Sequence, residues 1–369
     1  MLDMGLGADA SGYLLRFLDR RDVAWLSTTG RSTQEELREM IHRRNLGLRK
    51  DLRIRFRDGF NIAAGYKVLL QREGKYPMIY ALGGWDYEVV CCFDPFTQRW
   101  ISCPEMPTAR SNHRAVGVDG RIWAVGGVSY VRRGALAMTE CFDSRSQRWT
   151  SHAPMAQARY NFGLAAISGK LYAVGGDTTQ GRIDSMEIFD TATNRWTPGP
   201  SLPRARACLT LEVINGKLLA IGGDTVVPED PDTLIGLSRN PSTTVECFDP
   251  KTGKWTPSAP MNVARSGHAS TILNGQVVVM GGLCGRNCGT NTVECFDPAS
   301  NTWSMLPPMN VPRDNFGAAT WNDTVIVVGG FSTGQNGEWF RVLPGEEDAG
   351  WEPIPDMKNT QLGLCVCAV

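Results

Sequence analysis

The chain has 369 residues, with 38 basic side chains against 38 acidic ones. Zero net charge speaks against a dedicated nucleic-acid binder, which needs a basic excess to neutralise phosphates. No apolar run reaches the roughly 18 residues of a membrane-spanning helix, so no membrane partner is expected either. With 40 Gly, 21 Pro and 11 Trp but only 4 His, the composition is all-β and poor in the residue most used for acid–base chemistry and metal ligation.

The first residues, MLDMGLGADASG, lack the basic flank and apolar stretch of a signal peptide. Residues 1–77 do not repeat and carry 15 Lys and Arg against 10 Asp and Glu, which leaves the rest of the chain at −5. Ser32-Thr33-Gln34-Glu35 is a capping box ahead of Leu37, Met40 and Ile41, so a helix is predicted there. Tyr13 to Leu18 suggests a second helix. The basic content reads as a solvated helical face.

From residue 78 onward the sequence repeats. Gly-Gly doublets begin at Gly83, Gly126, Gly175, Gly222, Gly281 and Gly329, each closing a short apolar run such as RIWAVGG or KLYAVGG that reads as a buried strand. A further strand follows (CCFD, ECFD, EIFD, ECFD, ECFD and a degenerate WFRVL), and then Trp100, Trp149, Trp196, Trp255, Trp303 and Trp351. Each of the first five Trp lies 26 residues before the next doublet, whereas the doublet-to-Trp distance varies from 16 to 32. One half of the unit is therefore fixed by packing, and the other contains a loop free to grow. In the fixed half, Met or Leu stands six residues after each Trp. Arg110, Arg159, Arg206, Arg265 and Arg313 stand ten after, with Gln361 as the exception. Pairs such as Asn215-Gly216 and Asn274-Gly275 at position nineteen suit tight hairpin turns.

Each unit thus reads as a four-stranded antiparallel meander, strands a to d, with the doublet ending b and the Trp on d. Units of 43–59 residues with one such sheet each are propeller blades. Six blades are predicted over 78–369. The first lacks an a strand, and the chain ends with LGLCVCAV, enough for one a strand and no more. The C-terminal strand is therefore expected to close the ring in blade one.

Six in-phase copies of Gly-Gly, Phe-Asp, Trp, Met and Arg resemble the kelch repeat, and the whole is similar to the propeller of BTB-kelch proteins. That resemblance implies closure by a C-terminal strand and a helical segment ahead of the propeller, of which residues 1–77 would be a shortened, BACK-like remnant too short for a complete BTB domain. It also implies substrate recognition for a cullin-type ubiquitin ligase. The alternative is a scaffold outside the ligase machinery, such as a protein binding actin or the cytoskeleton.

Little chemistry is legible. Cys92, Cys141, Cys247 and Cys295 share one place on strand c with Ile188, as buried filler does. Cys284 and Cys288 read as half a zinc site lacking a second pair, as a disulfide, or as a redox-sensitive pair beside Arg286, which would lower a thiol pKa. Eleven cysteines, an odd number in repeat positions, point to a reducing, cytoplasmic setting. Three His in the repeats at mismatched offsets argue against a metal or catalytic centre. No enzyme activity, cofactor or metal is expected.

Topology locates the binding face instead. The b–c loops and d–a connections of a meander emerge at one end, so variable loops and repeat arginines share that face. Recurrence argues that Arg110, Arg159, Arg206, Arg265 and Arg313 bond neighbouring backbone carbonyls. As a ring of guanidiniums they would alternatively attract an acidic peptide. Residues differing between blades are the candidates for specificity: Trp85 and Tyr87, Tyr130 and Arg132, Arg182, Arg286, and Phe331. The long fourth loop, Thr225 to Thr243, carries Glu229, Asp230 and Asp232 and is expected to drape over this face.

Overall fold

The computed structural model describes residues 78–84, 87–94, 99–129, 131–225, 240–285, 288–321, 324–330, 337–341, 350–355 and 365–368. Among these there is no helix, and the helices expected within 1–77 lie outside them. The described residues form six four-stranded antiparallel sheets, each in the order a-b-c-d. Blade two is Arg114–Val118, Arg121–Val125, Thr139–Asp143 and Arg148–His152. Blades three to six repeat that pattern, with a strands Gly163–Ile167, Thr210–Ile214, Ala269–Leu273 and Gly317–Trp321. Each d strand ends the blade on its exposed side, as in Arg148–His152, whereas the b strand Arg121–Val125 is buried after its first residue.

Ring closure follows the sequence expectation. Cys365–Ala368 supplies the a strand of blade one and pairs antiparallel with Ile79–Leu82, Ala368 facing Ile79 and Cys365 facing Leu82. The apolar cores lie between blades. One cluster, for example, joins Trp123 and Val125 of blade two to Leu164, Leu171 and Phe189 of blade three.

The repeat residues have one job each in this packing. Every blade Trp lies against the Phe of strand c at 5.1–5.2 Å between ring centroids. Its indole N–H donates to a carbonyl of the preceding blade, as Trp149 does to Pro104 at 2.9 Å. Trp100 completes the circle by donating to Pro355 at 3.0 Å. Blade six keeps this stack although it lacks Phe-Asp, because Phe340 takes the aromatic position against Trp351. The strand-c aspartates cap the c–d turns. Asp143 Oδ1 accepts the N–H groups of Arg145 and Ser146, and those backbone bonds hold its carboxyl below the usual range.

A second run of ties uses backbone alone. Asn112, Asn161, Cys208, Gly267 and Asn315, twelve residues after successive Trp, all adopt left-handed φ of 51–61°. The N–H of each of the last four donates to the carbonyl of the one before, at 2.7–3.0 Å. Each d–a connection is thereby clipped to its neighbour around the channel mouth.

Closure rests on close apposition of blades six and one, where a Cβ at Gly317 would fall 2.3 Å from Val366 Cγ2. Val366 is 7% exposed. Val366→Asp is predicted to cost about 3 kcal/mol or more in chemical denaturation, since a charge is forced into a packed seam. Ile101→Asp on the exposed d strand of blade one is predicted to stay within about 0.5 kcal/mol.

Candidate functional site

The five repeat arginines are internal. Arg110, Arg159, Arg206, Arg265 and Arg313 are 0–1% exposed, so they form no cationic ring for an acidic peptide, and that expectation is corrected. Each guanidinium is consumed by its own blade. Nη1 donates to the first Gly carbonyl of the doublet, as Arg159 to Gly175 at 3.0 Å and Arg265 to Gly281 at 2.7 Å. The rest of the fork meets a strand-c glutamate: Arg159–Glu187 at 2.8 Å, Arg265–Glu294 and Arg313–Glu338 at 3.0 Å, with Arg110–Glu140 and Arg206–Glu246 paired likewise. The Arg backbone carbonyl meanwhile accepts the second Gly N–H of the preceding doublet, as Arg159 does from Gly127 at 2.9 Å. Burial pulls Arg206 down to about 10 and lowers Arg110, Arg159 and Arg265 as well, with the glutamate opposing it for the latter three.

The glutamates were legible in the sequence and were not singled out. Glu140, Glu187, Glu246, Glu294 and Glu338 each stand two residues before the strand-c Phe. Blade one has Cys91 at that place, and its arginine position is Gln361. The two partners are therefore present together in five blades and absent together in one.

The doublet needs glycine for two reasons. At Gly126 φ is +62°, and a Cβ there would lie 2.6 Å from the Arg159 carbonyl and 2.8 Å from the Phe162 ring. The residue thirteen after each Trp thus fills the space beside the doublets: His113, Phe162, Leu209, His268 and Phe316. His113 and His268 are 0% and 2% exposed, occupying a slot built for an apolar ring. Neither nitrogen of His113 has a hydrogen-bond partner among the described residues, while His268 Nε2 meets Thr210 Oγ1 at 3.0 Å. Burial, reinforced by Arg265, Arg114 and Arg206, pulls His268 down to about 3. Burial, with Arg110 and Arg114 beside it, holds His113 well below its ordinary value.

The a strands line a central channel with a cavity of about 370 Å³. Arg114 lies across it, donating to the carbonyls of Phe162 at 2.9 Å and Leu209 at 3.5 Å. Deeper, Glu212 accepts from Ser270 at 2.6 Å, and withdrawal from solvent pushes its carboxyl up to about 7. Among the described residues no cluster of three or more His, Cys, Asp or Glu suits a metal ion.

The exposed, blade-specific chemistry stands on the b–c loops. In blades two, three and five these loops rise as small hairpins: Val128–Ser129 with Gly134–Ala135, Asp177–Thr178 with Gly181–Arg182, and Leu283–Gly285 with Cys288–Gly289. At the tip of the first, Val131 is 81% exposed beside exposed Arg132 and Arg133, and on the neighbouring blade-one loop Tyr87 is 48% exposed. Arg182 reaches this face already engaged, with Nε on Asp177 at 3.1 Å and Nη1 on the Thr225 carbonyl at 3.0 Å. Trp85, Tyr130, Arg286, Phe331 and the acidic part of the fourth loop lie outside the described residues. Val131 is the member that pattern reasoning left out of its candidates. Its only sequence signal is a place at the tip of a variable loop.

Six four-stranded blades, tied edge to edge by Trp, Gly-Gly and Arg, define a repeat propeller that presents variable loops on a rigid frame. The chain belongs to the kelch-repeat family: the KLHDC2/KLHL20/DRC7 Kelch-repeats domain matches residues 74–282 and 156–330. Kelch-like protein 15 of Homo sapiens and of Danio rerio is 50% identical over 44 residues. That stretch is 12% of this chain and spans 7% of the relatives' length. The solved structure of YjhT has the same fold at TM-score 0.53 and 20% identity, covering 62% of this chain and 75% of that one. Kelch propellers are in general protein-interaction folds.

The two histidines make stability pH-dependent. Their native pKa values lie below the unfolded value of about 6.5, so between about 6.5 and 3 the unfolded chain binds more protons and acid favours it. Glu212, raised in the native state, acts in the opposite sense. His113→Phe with His268→Phe, matching Phe162 and Phe316, is predicted to shrink the stability lost between pH 7 and pH 5. The reduction is up to about 1.4 kcal/mol per pH unit per histidine, and denaturation at several pH values measures it.

Proposed function

We propose that the protein is a non-catalytic recognition module that captures a segment of a protein partner on its b–c/d–a face. The observation that carries this reading is the tip of the blade-two hairpin. A valine 81% exposed stands beside two exposed arginines, and neither arginine forms an ion pair among the described residues. Arg132 Nη1 meets Met138 Sδ at 3.6 Å, and exposed apolar surface flanked by guanidiniums outside any ion pair is what an interface anchor looks like before it is filled. Tyr87 on the adjacent loop extends the patch. Arg132 and Arg133 favour a partner segment with acidic side chains.

The setting we propose is cytoplasmic substrate recognition for a cullin-type ubiquitin ligase, supported by the resemblance to BTB-kelch proteins. The second reading is a kelch scaffold outside that machinery, for example one binding actin. Both readings share the same face.

Tyr87→Ala with Val131→Asp, Arg132→Ala and Arg133→Ala is predicted to leave the melting temperature within about 2 °C, since all four side chains are exposed. Capture of cytosolic partners, quantified by mass spectrometry, should fall at least about tenfold. A cullin captured equally by both forms supports the ligase setting, whereas actin lost with the substitutions supports the scaffold. Full partner capture by a folded variant overturns the assignment of the face.

A further inference from the structure

The blade-five hairpin holds two thiols at its base. Leu283–Gly285 pairs with Cys288–Gly289, and the register slips between Leu283 and Gly285. The bulge swings Cys284 across the hairpin, so that its Sγ lies 3.2 Å from the Cys288 carbonyl oxygen. Four residues apart in sequence, the two groups face each other across one short loop. Cys288 is exposed and Cys284 half-buried. Arg286, expected to depress a thiol here, lies outside the described residues. Burial and the neighbouring Cys288 hold Cys284 above its ordinary value.

A second pair, Cys92 and Cys103, lies close in blade one, Cys92 facing Ile101 across the ladder two residues before Cys103. Cys92 is only 6% exposed within the apolar cluster between blades one and two, so an oxidant cannot reach it in the folded protein. Cys141 and Cys295 are buried likewise while Cys91 and Cys247 are half-buried, and burial pushes the Cys141 thiol up to about 12. Accessibility and juxtaposition coincide at Cys284 and Cys288.

We propose that Cys284 and Cys288 form a reversible dithiol–disulfide site whose oxidant is a small disulfide of the glutathione type. Exposed Cys288 is the point of attack. Its thiolate displaces one glutathione thiolate from the oxidised tripeptide and forms a mixed disulfide. Cys284, deprotonated, then attacks Cys288 Sγ and expels the second glutathione thiolate. Two protein thiols become one disulfide, and one glutathione disulfide becomes two glutathione molecules once the thiolates take up the two released protons. Excess reduced glutathione reverses the exchange. The site stands on the loop face, so its state alters the geometry of a hairpin displayed there.

The test uses the full chain. Native protein is equilibrated in buffers of graded reduced and oxidised glutathione, quenched in acid, alkylated, unfolded and digested with trypsin without reductant. Cleavage after Arg265, Arg286 and Arg313 puts Cys284 and Cys288 on separate peptides, 266–286 and 287–313. The expected product is these two peptides joined, two hydrogens lighter than their sum, rising as the buffer becomes more oxidising and lost on reduction. Peptide 287–313 also contains Cys295. Cys295→Ser should therefore keep the joined product and Cys288→Ser abolish it, with Cys92 and Cys103 alkylated throughout. The proposal is overturned if Cys288 ends only as a free thiol or a glutathione adduct, or if the joined product survives in Cys288→Ser.

Discussion

The buried arginine–glutamate pair carries the architecture. Each guanidinium satisfies a Gly-Gly carbonyl and a strand-c carboxylate of its own blade, while its backbone carbonyl accepts an N–H from the blade before. A charge at 0% exposure is tolerable only when its hydrogen-bonding capacity is spent in place. Arg265 meets that condition with bonds to Gly281, Thr292 and both the backbone-proximal and terminal ends of its fork on Glu294. One side chain thereby fixes where strand b ends, where strand c begins and how near the next blade can approach.

The other repeat elements act around that anchor. The indole N–H tie and the left-handed backbone clip both run from blade to blade, so errors in one blade's placement are felt by its neighbours. A frame determined so fully at its edges leaves the b–c loops free of structural duty. Their length and chemistry can vary from blade to blade without disturbing the ring, and recognition belongs there. The loops that stand clear as hairpins in blades two, three and five present their side chains on short ladders anchored at the Gly-Gly doublets.

Much of the fold was readable because packing fixes spacing. The constant 26-residue interval contains the d–a connection and the a–b hairpin, and closure by Cys365–Ala368 followed from counting strands. The site was less readable. Arginine in repeat position looks the same in sequence whether it faces solvent or a glutamate. The deciding signal lay some 25–40 residues away, in Glu140 and its counterparts and in the joint loss of both partners at Gln361 and Cys91. His113 and His268 share a slot with Phe162 and Phe316, which only alignment on the Trp reveals. Blade six looked degenerate because attention fell on Phe-Asp. The pattern it retains is Glu338-x-Phe340, the part that packs.

The central claim is that arginine and glutamate act as one structural unit. A double-mutant cycle on Arg265→Met and Glu294→Leu, read by chemical denaturation, tests it most directly. The account predicts that each single change costs about 3–5 kcal/mol, because it strands a buried charge. The double change should then cost less than the sum by about 2 kcal/mol or more. Single losses that are small, or that add to within about 0.5 kcal/mol, would contradict it.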